Sequence, residues 1–184
     1  SAPGECILIR LTASQKKKIS VEFSTKSQLQ SKQFIEAKSL VLKGKAPAHV
    51  DPNYIDYNQK PIVYNDVDGC RGMRFELIVK PIIKDGHITQ NENGISVQNA
   101  SEVLLILSAA TSFNGYDKCP DQEGKDEHKL AEKYLSKSLN QSYANLLQAH
   151  LKDFHHFFDR VSLNLNSNEP DQSGISTDER LEAY

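Results

Sequence analysis

Hydrophobic and polar positions alternate along the first part of the chain and then change period near Phe113. Ile7, Ile9 and Leu11 fall on one side of an extended segment, as do Ile19, Val21 and Phe23. Met73, Phe75, Leu77 and Val79 repeat the pattern against Arg74, Glu76 and Lys80. Period two with β-branched and aromatic residues predicts half-buried antiparallel strands. Asp85–Gly86 and Asn93–Gly94 are dipeptides that accept positive φ and reverse a chain. They frame a strand at His87–Thr89 and start another at Ile95–Val97. Val103–Leu107 is apolar on both sides, which predicts an interior strand. About eight such strands bury their alternating surface most simply as a β-sandwich.

Beyond Gly115 the spacing becomes helical. Asp126 is placed to cap a helix carrying Leu130, Tyr134, Leu135 and Leu139. Asn140 is placed to cap a second, on which Tyr143, Leu147, His150, Phe154, Phe158 and Val161 recur every three or four residues. That stripe is wide enough to pack on a large surface, and His150, Phe154 and Phe158 are its candidates for interdomain packing. Val161–Leu165 alternates again, as a returning strand would. Asn166–Gly174 is polar and contains Pro170, like a linker. Ser176–Thr177–Asp178–Glu179 has the spacing of a capping box and should open a further helix. The expected organisation is a partial β-sandwich over 1–113, a helical linker with a returning strand over 114–165, and a linker over 166–184 leading into another domain.

Composition narrows the function classes. A net charge of −2 supplies no basic field for nucleic acid. No apolar run approaches the roughly 20 residues that span a bilayer. Cys6, Cys70 and Cys119 form no CxxC pair, and buried or half-buried thiols are the plainer expectation, with one disulfide as the alternative. Cys119 has no flanking nucleophile signature and reads as structural. His150, His155 and His156 lack the i, i+4 spacing of a helical metal pair, so no metal site is expected there. No glycine motif suggests a phosphate loop, and no cofactor is implied.

The segment from Pro47 to Tyr64 concentrates the chemistry. His49, Asp51, Asn53, Tyr54 and Tyr57 stand there beside Asp56 and Tyr64, between Pro47, Pro52 and Pro61. Tyrosines stack on sugar rings while Asp, Asn and His bond hydroxyls, which makes these residues candidates for sugar contact. The alternative is a stiffened crossover whose tyrosines pack on the sheet. Tryptophan, the usual large stacking platform, is absent. Glycoside hydrolysis needs an acid and a base about 6.5–9.5 Å apart in inverting enzymes. The carboxylates Asp51, Asp56, Asp66 and Asp68 show no motif that pairs them.

Several ordered segments carry a resemblance. They are Leu42–Tyr54, Gly72–Met73–Arg74–Phe75, Ala109–Asp117, Ser142–Tyr143 with His150, Phe158–Leu163 and Thr177–Leu181. In this order the chain resembles the second half of the amino-terminal β-domain of glycoside hydrolase family 95, the α-L-fucosidases. The resemblance implies part of a β-super-sandwich followed by two linker helices, preceding an (α/α)6 catalytic barrel in the same polypeptide. It implies a parent that acts on fucosylated glycans in a periplasmic or secreted setting. The catalytic residues of that family lie in the barrel, so none is assigned here and this segment alone should be inactive. It would serve as a scaffold for the barrel, with the Pro47–Tyr64 loop at the substrate rim. An incomplete sandwich should also self-associate through its open apolar face. The competing reading is an independent carbohydrate-binding β-sandwich module.

Overall fold

A computed structural model describes residues 3–64, 69–163 and 174–182. The chain divides into two compact units, Ser1–Asp153 and Phe154–Tyr184. Among the described residues of the first unit, ten strands pair entirely antiparallel. The larger sheet contains β1 (Ile7–Thr12), β3 (Gln30–Glu36), β4 (Ser39–Lys45), β7 (Arg74–Lys84) and β10 (Glu102–Thr111), in the order β1-β10-β7-β4-β3. The smaller sheet is β2 (Ile19–Phe23), β9 (Gly94–Ala100) and β8 (His87–Asn91), in the order β2-β9-β8. A two-stranded ribbon joins β5 (His49–Val50) to β6 (Ile62–Val63). The β-sandwich read from the alternation is therefore the observed fold.

β10 explains why its sequence is continuously apolar. Val103 and Leu105 point into a core shared with Ile95, Val97 and Ala100 of the smaller sheet. Ile106 points the other way, into a second core with Val41, Ile78, Cys6 and the helix residues Ala131 and Leu135. A strand covered on both faces has no polar side to show. The second core is roofed by α1 (Glu127–Leu139), which Asp126 caps by accepting from the Lys129 amide at 3.0 Å. The face that α1 buries is Ala131, Leu135 and Ser138; of the expected stripe Leu135 is buried, Leu130 and Tyr134 are half-buried and Leu139 is exposed. Small side chains win there because they let the helix approach the sheet. The Ser108 hydroxyl then donates to the Ala131 carbonyl at 2.7 Å, and Ser138 to the Gly4 carbonyl at 3.2 Å.

The polar side of β7 is not the solvent side that alternation suggests. Glu76 is 1% exposed beneath α1. Its Oε1 lies 2.8 Å from Nδ1 of His128, and its Oε2 lies 3.1 Å from the Lys43 ammonium in an ion pair that is not aligned as a hydrogen bond. The hydrogen bond to Glu76 raises the pKa of His128 above its ordinary value, against a smaller opposing effect of burial.

The turns differ from expectation in detail. Asp85 and Gly86 both take positive φ, 61° and 73°, as their dipeptide predicts. At the next hairpin the reversal sits at Glu92–Asn93, before Gly94, and the Asn91 side chain accepts from the Asn93 and Gly94 amides. The β3–β4 hairpin turns through Ala37 and Lys38 at φ 47° and 60°, with no glycine or asparagine to announce it. Asn140 closes α1 and does not open the next helix. α2 (Tyr143–Phe158) starts instead from Ser142, whose hydroxyl accepts from the Asn145 amide at 3.2 Å. α2 buries Leu146, while Leu147 and His150 of the expected stripe lie outside the core. Val161 lies beyond the end of α2.

Within the second unit, Phe154 and Phe158 stack at 4.8 Å between ring centroids. Val161–Leu163 is not in a strand; Asn164 and Leu165, like most of the expected linker, lie outside the described residues. α3 (Thr177–Glu182) forms with one half of the capping box, the Ser176 amide donating to the Glu179 carboxylate at 3.3 Å, while the Ser176 hydroxyl also donates to that carboxylate at 3.0 Å. Among the described residues no helix is long and apolar enough to cross a membrane.

Candidate functional site

The residues singled out between Pro47 and Tyr64 belong to an arm that leaves the larger sheet between two paired strands. β4 ends at Lys45 and β7 begins at Arg74, and these two residues are register partners. Immediately beyond them the Ala46 amide donates to the Met73 carbonyl at 2.8 Å, closing the neck of the arm. Gly72 sits so tightly there that an added Cβ would lie 1.8 Å from the Ala46 oxygen. Farther out, the β5–β6 ribbon is extended by Ala48 donating to Val63 at 2.7 Å and Asp51 to Pro61 at 2.8 Å. Pro52 supports a turn in which its carbonyl accepts from the Ile55 amide at 3.0 Å.

At the outer end of the ribbon three side chains lock together. His49 Nε2 lies 2.6 Å from Asp51 Oδ1, and the Asn58 amide group donates to Asp51 Oδ2 at 2.6 Å. The Asp51 side chain is only 10% exposed, whereas that of His49 is 55% exposed. The bond from His49, with help from Asn58, holds the Asp51 pKa below the ordinary carboxylate value. The carboxylate is thus a fixed anchor and the imidazole an oriented, accessible group. Tyr54 and Tyr57 are 80% and 83% exposed, so they do not pack on the sheet, and Asn53 is exposed beside them. Tyr64 is different: its hydroxyl accepts from the Gln30 amide at 3.2 Å and ties the arm to β3. Asp66 and Asp68 lie outside the described residues.

The same end of the sheet carries the loop between β10 and α1. Arg74 organises it, with Nε 3.1 Å from the Glu127 carboxylate and Nη1 donating to the Asp121 carbonyl at 2.8 Å. Lys45 reaches the Asp121 carboxylate at 3.1 Å. Cys119 of this loop is bonded to Cys70 in a disulfide, with Cα atoms 5.4 Å apart. The expectation of thiols at these two positions is therefore corrected; Cys6 alone is a thiol, buried in the second core. Sequence reasoning missed the pair because residues 49 apart are brought together only by the β4–β7–β10 ladder. It also passed over Asn58, which has no local signal beyond its place in a polar run, and Tyr116, 98% exposed on the disulfide-bonded loop.

The histidines of α2 are not assembled into a ligand set. His155 Nδ1 lies 3.2 Å from Asp159, and His156 Nε2 lies 2.7 Å from an Arg160 nitrogen, each one turn along. His150 borders a shallow hollow with Ile7, Leu8, Tyr143, Leu146 and Leu147. Among the described residues no three metal-ligating side chains converge.

The family model described as "Glycosyl hydrolase family 65, N-terminal domain" matches residues 1–116, from the entry to β1 through the end of β10. The chain belongs to this family of glycosyl hydrolase amino-terminal domains. Its matched region contains the whole arm and the half-cystine Cys70, while Cys119 and both long helices lie beyond it. A curated relative, Alpha-L-fucosidase 2 of Arabidopsis thaliana, is 28% identical over 193 residues, an alignment that takes in 100% of this chain and 22% of the plant protein. The similarity to a fucosidase-type enzyme thus continues through the helices that the family model does not reach.

Proposed function

We propose that this chain is a non-catalytic amino-terminal segment of an α-L-fucosidase of the family 95 type, scaffolding an (α/α)6 catalytic barrel elsewhere in the same polypeptide. The observation that carries the reading is the similarity to Alpha-L-fucosidase 2 along the entire chain, helices included. In this reading the arm over 46–64 reaches the substrate rim, and His49, Asp51, Asn53, Tyr54 and Tyr57 meet the sugar. With Nε2 committed to Asp51, a neutral His49 offers Nδ1 as an acceptor for a sugar hydroxyl. The exposed rings of Tyr54 and Tyr57 provide apolar faces for the sugar's C–H side. His150, Phe154 and Phe158 of α2 are the residues that pack on the barrel. A disulfide is characteristic of oxidising compartments, which supports a periplasmic or secreted setting.

The test is hydrolysis of a chromogenic α-L-fucoside. The chain alone should show no turnover above background, and the parent enzyme carrying Tyr54→Ala and Tyr57→Ala should show a raised KM with kcat little changed. Turnover by the isolated chain refutes the non-catalytic assignment. Unaltered kinetics of the parent on fucosylated oligosaccharides refute the rim role.

The exposure of Tyr54 and Tyr57 also favours a second reading, a carbohydrate-binding module acting by itself. Saturable NMR shifts at these tyrosines in the isolated chain, on titration with fucosylated oligosaccharides, would select it over the scaffold.

A further inference from the structure

The arm has few ties to the rest of the protein once past its neck. Among the described residues these are the Tyr64 hydroxyl on the Gln30 amide, the Gln122 side chain donating to the Gly69 carbonyl at 3.0 Å, and the Cys70–Cys119 disulfide. Two of the three join one stretch, Gly69–Cys70, to one loop, Cys119–Gln122. That loop is itself rigidly built. Ser112 and Arg74 exchange backbone and side-chain bonds at 2.9 Å, the Lys125 amide donates to the Ser112 carbonyl at 3.0 Å, and Gly124 packs against the Pro120 and Ser112 oxygens. Arg74 bonds to Glu127 and Asp121 hold it to the start of α1. None of these bonds passes through either sulfur.

We infer that Cys70 and Cys119 are positioning residues for the arm: their bond fastens an arm with few other ties to a loop that the core already holds. The bond is peripheral to both hydrophobic cores, neither of which contains Cys70 or Cys119. Breaking it removes the covalent tie on the arm and leaves the sandwich, α1 and the Arg74 network with every non-covalent contact they had. The polar cluster His49–Asp51–Asn58 is built within the arm, so it moves with the arm as a unit. The presentation of the arm therefore depends on oxidation of this pair. That a sugar is what the arm presents itself to rests on the function proposed above; the positioning does not.

The experiment compares amide hydrogen exchange in the oxidised chain and after native-state reduction with a water-soluble phosphine. The S–S bond breaks to two thiols, the phosphine supplies two electrons and is oxidised to its oxide, and water supplies the oxygen and both protons. Complete reduction is verified by mass. The Ala48, Asp51 and Ile55 amides should exchange about tenfold faster on reduction, while Leu105, Ile106 and Leu135 change by less than about twofold. Cys70→Ser/Cys119→Ser should reproduce the reduced pattern and ignore the phosphine. If that variant does not fold, reduction of the native protein still decides. Unchanged exchange in the arm overturns the inference, and so does an equal rise in the core, which would make the bond a global staple. Titration with a fucosylated oligosaccharide separates the two proposals. A loosened arm with unchanged glycan response upholds the positioning and refutes the sugar-contact reading.

Discussion

Replacing His128 by alanine leaves the Glu76 carboxylate in place between β7 and α1 but takes away the imidazole 2.8 Å from Oε1. The remaining partner is the Lys43 ammonium, 3.1 Å from Oε2 and not aligned for a hydrogen bond. Removing one partner of a fully buried ion pair costs about 3–5 kcal/mol, because an uncompensated charge stays behind. Here the His128 side chain is 35% exposed, so water enters the vacated space and the cost should be nearer 2 kcal/mol. Glu76→Gln is the informative contrast. It removes the buried charge itself while the amide oxygen can still accept from His128, so the loss is the difference between a charge-assisted and a neutral hydrogen bond, about 1–1.5 kcal/mol. Desolvation thus predicts that losing the exposed partner hurts more than losing the buried charge. The pH dependence follows with its sign. His128 has a folded-state pKa above its ordinary value of 6.5, so its contribution is complete below 6.5 and fades as pH rises through the folded value. Urea unfolding of the full chain at pH 6 and pH 8.5 measures both effects. Wild type should lose stability across that interval and His128→Ala should lose less. A larger loss in Glu76→Gln than in His128→Ala, or an undiminished pH slope in the latter, would refute the reasoning.

Gly72→Ala places a Cβ against the Ala46 backbone and should cost about 2–3 kcal/mol or open the arm's neck, read as a lower urea midpoint with faster exchange of the Ala46 amide. Asp51 has a depressed pKa, so its help to the arm is present above the ordinary carboxylate value of 3.8 and disappears as pH falls through the folded one; NMR of the Asn58 side-chain amide, which donates to Asp51, should report the release only below 3.8. On the sandwich side of β1, Ile7 and Ile9 are 61% and 42% exposed opposite Leu107 and Leu105. Self-association through this face is expected in sedimentation at high concentration, and Ile9→Lys should abolish it; a monomeric wild type would remove the idea.

Strand periodicity was legible because it is local: successive side chains point to opposite faces whatever lies beyond. The Asp126 cap and the Ser176–Glu179 contact were legible for the same reason, since each is closed within one turn. The composition of the arm stood out too, yet its arrangement did not. Asn58 becomes the third member of the His49–Asp51 cluster only because the β5–β6 ribbon folds the chain back.

Position within the tertiary structure settled the remaining features. Ala37 and Lys38 adopt positive φ because β3 and β4 pair on either side of them, not through any preference of their own. Glu76 looks like an outward residue in the alternation, but sheet faces are equivalent until a helix covers one of them. The buried face of α1 is chosen by closeness of approach, so Ala131 and Ser138 outrank Leu130 and Leu139. Cys70 and Cys119 meet because a ladder of antiparallel strands brings two distant loops to one end of the sheet. Periodicity and caps are properties of neighbouring residues, whereas burial of a charge and pairing of thiols depend on which surfaces the fold sets against each other.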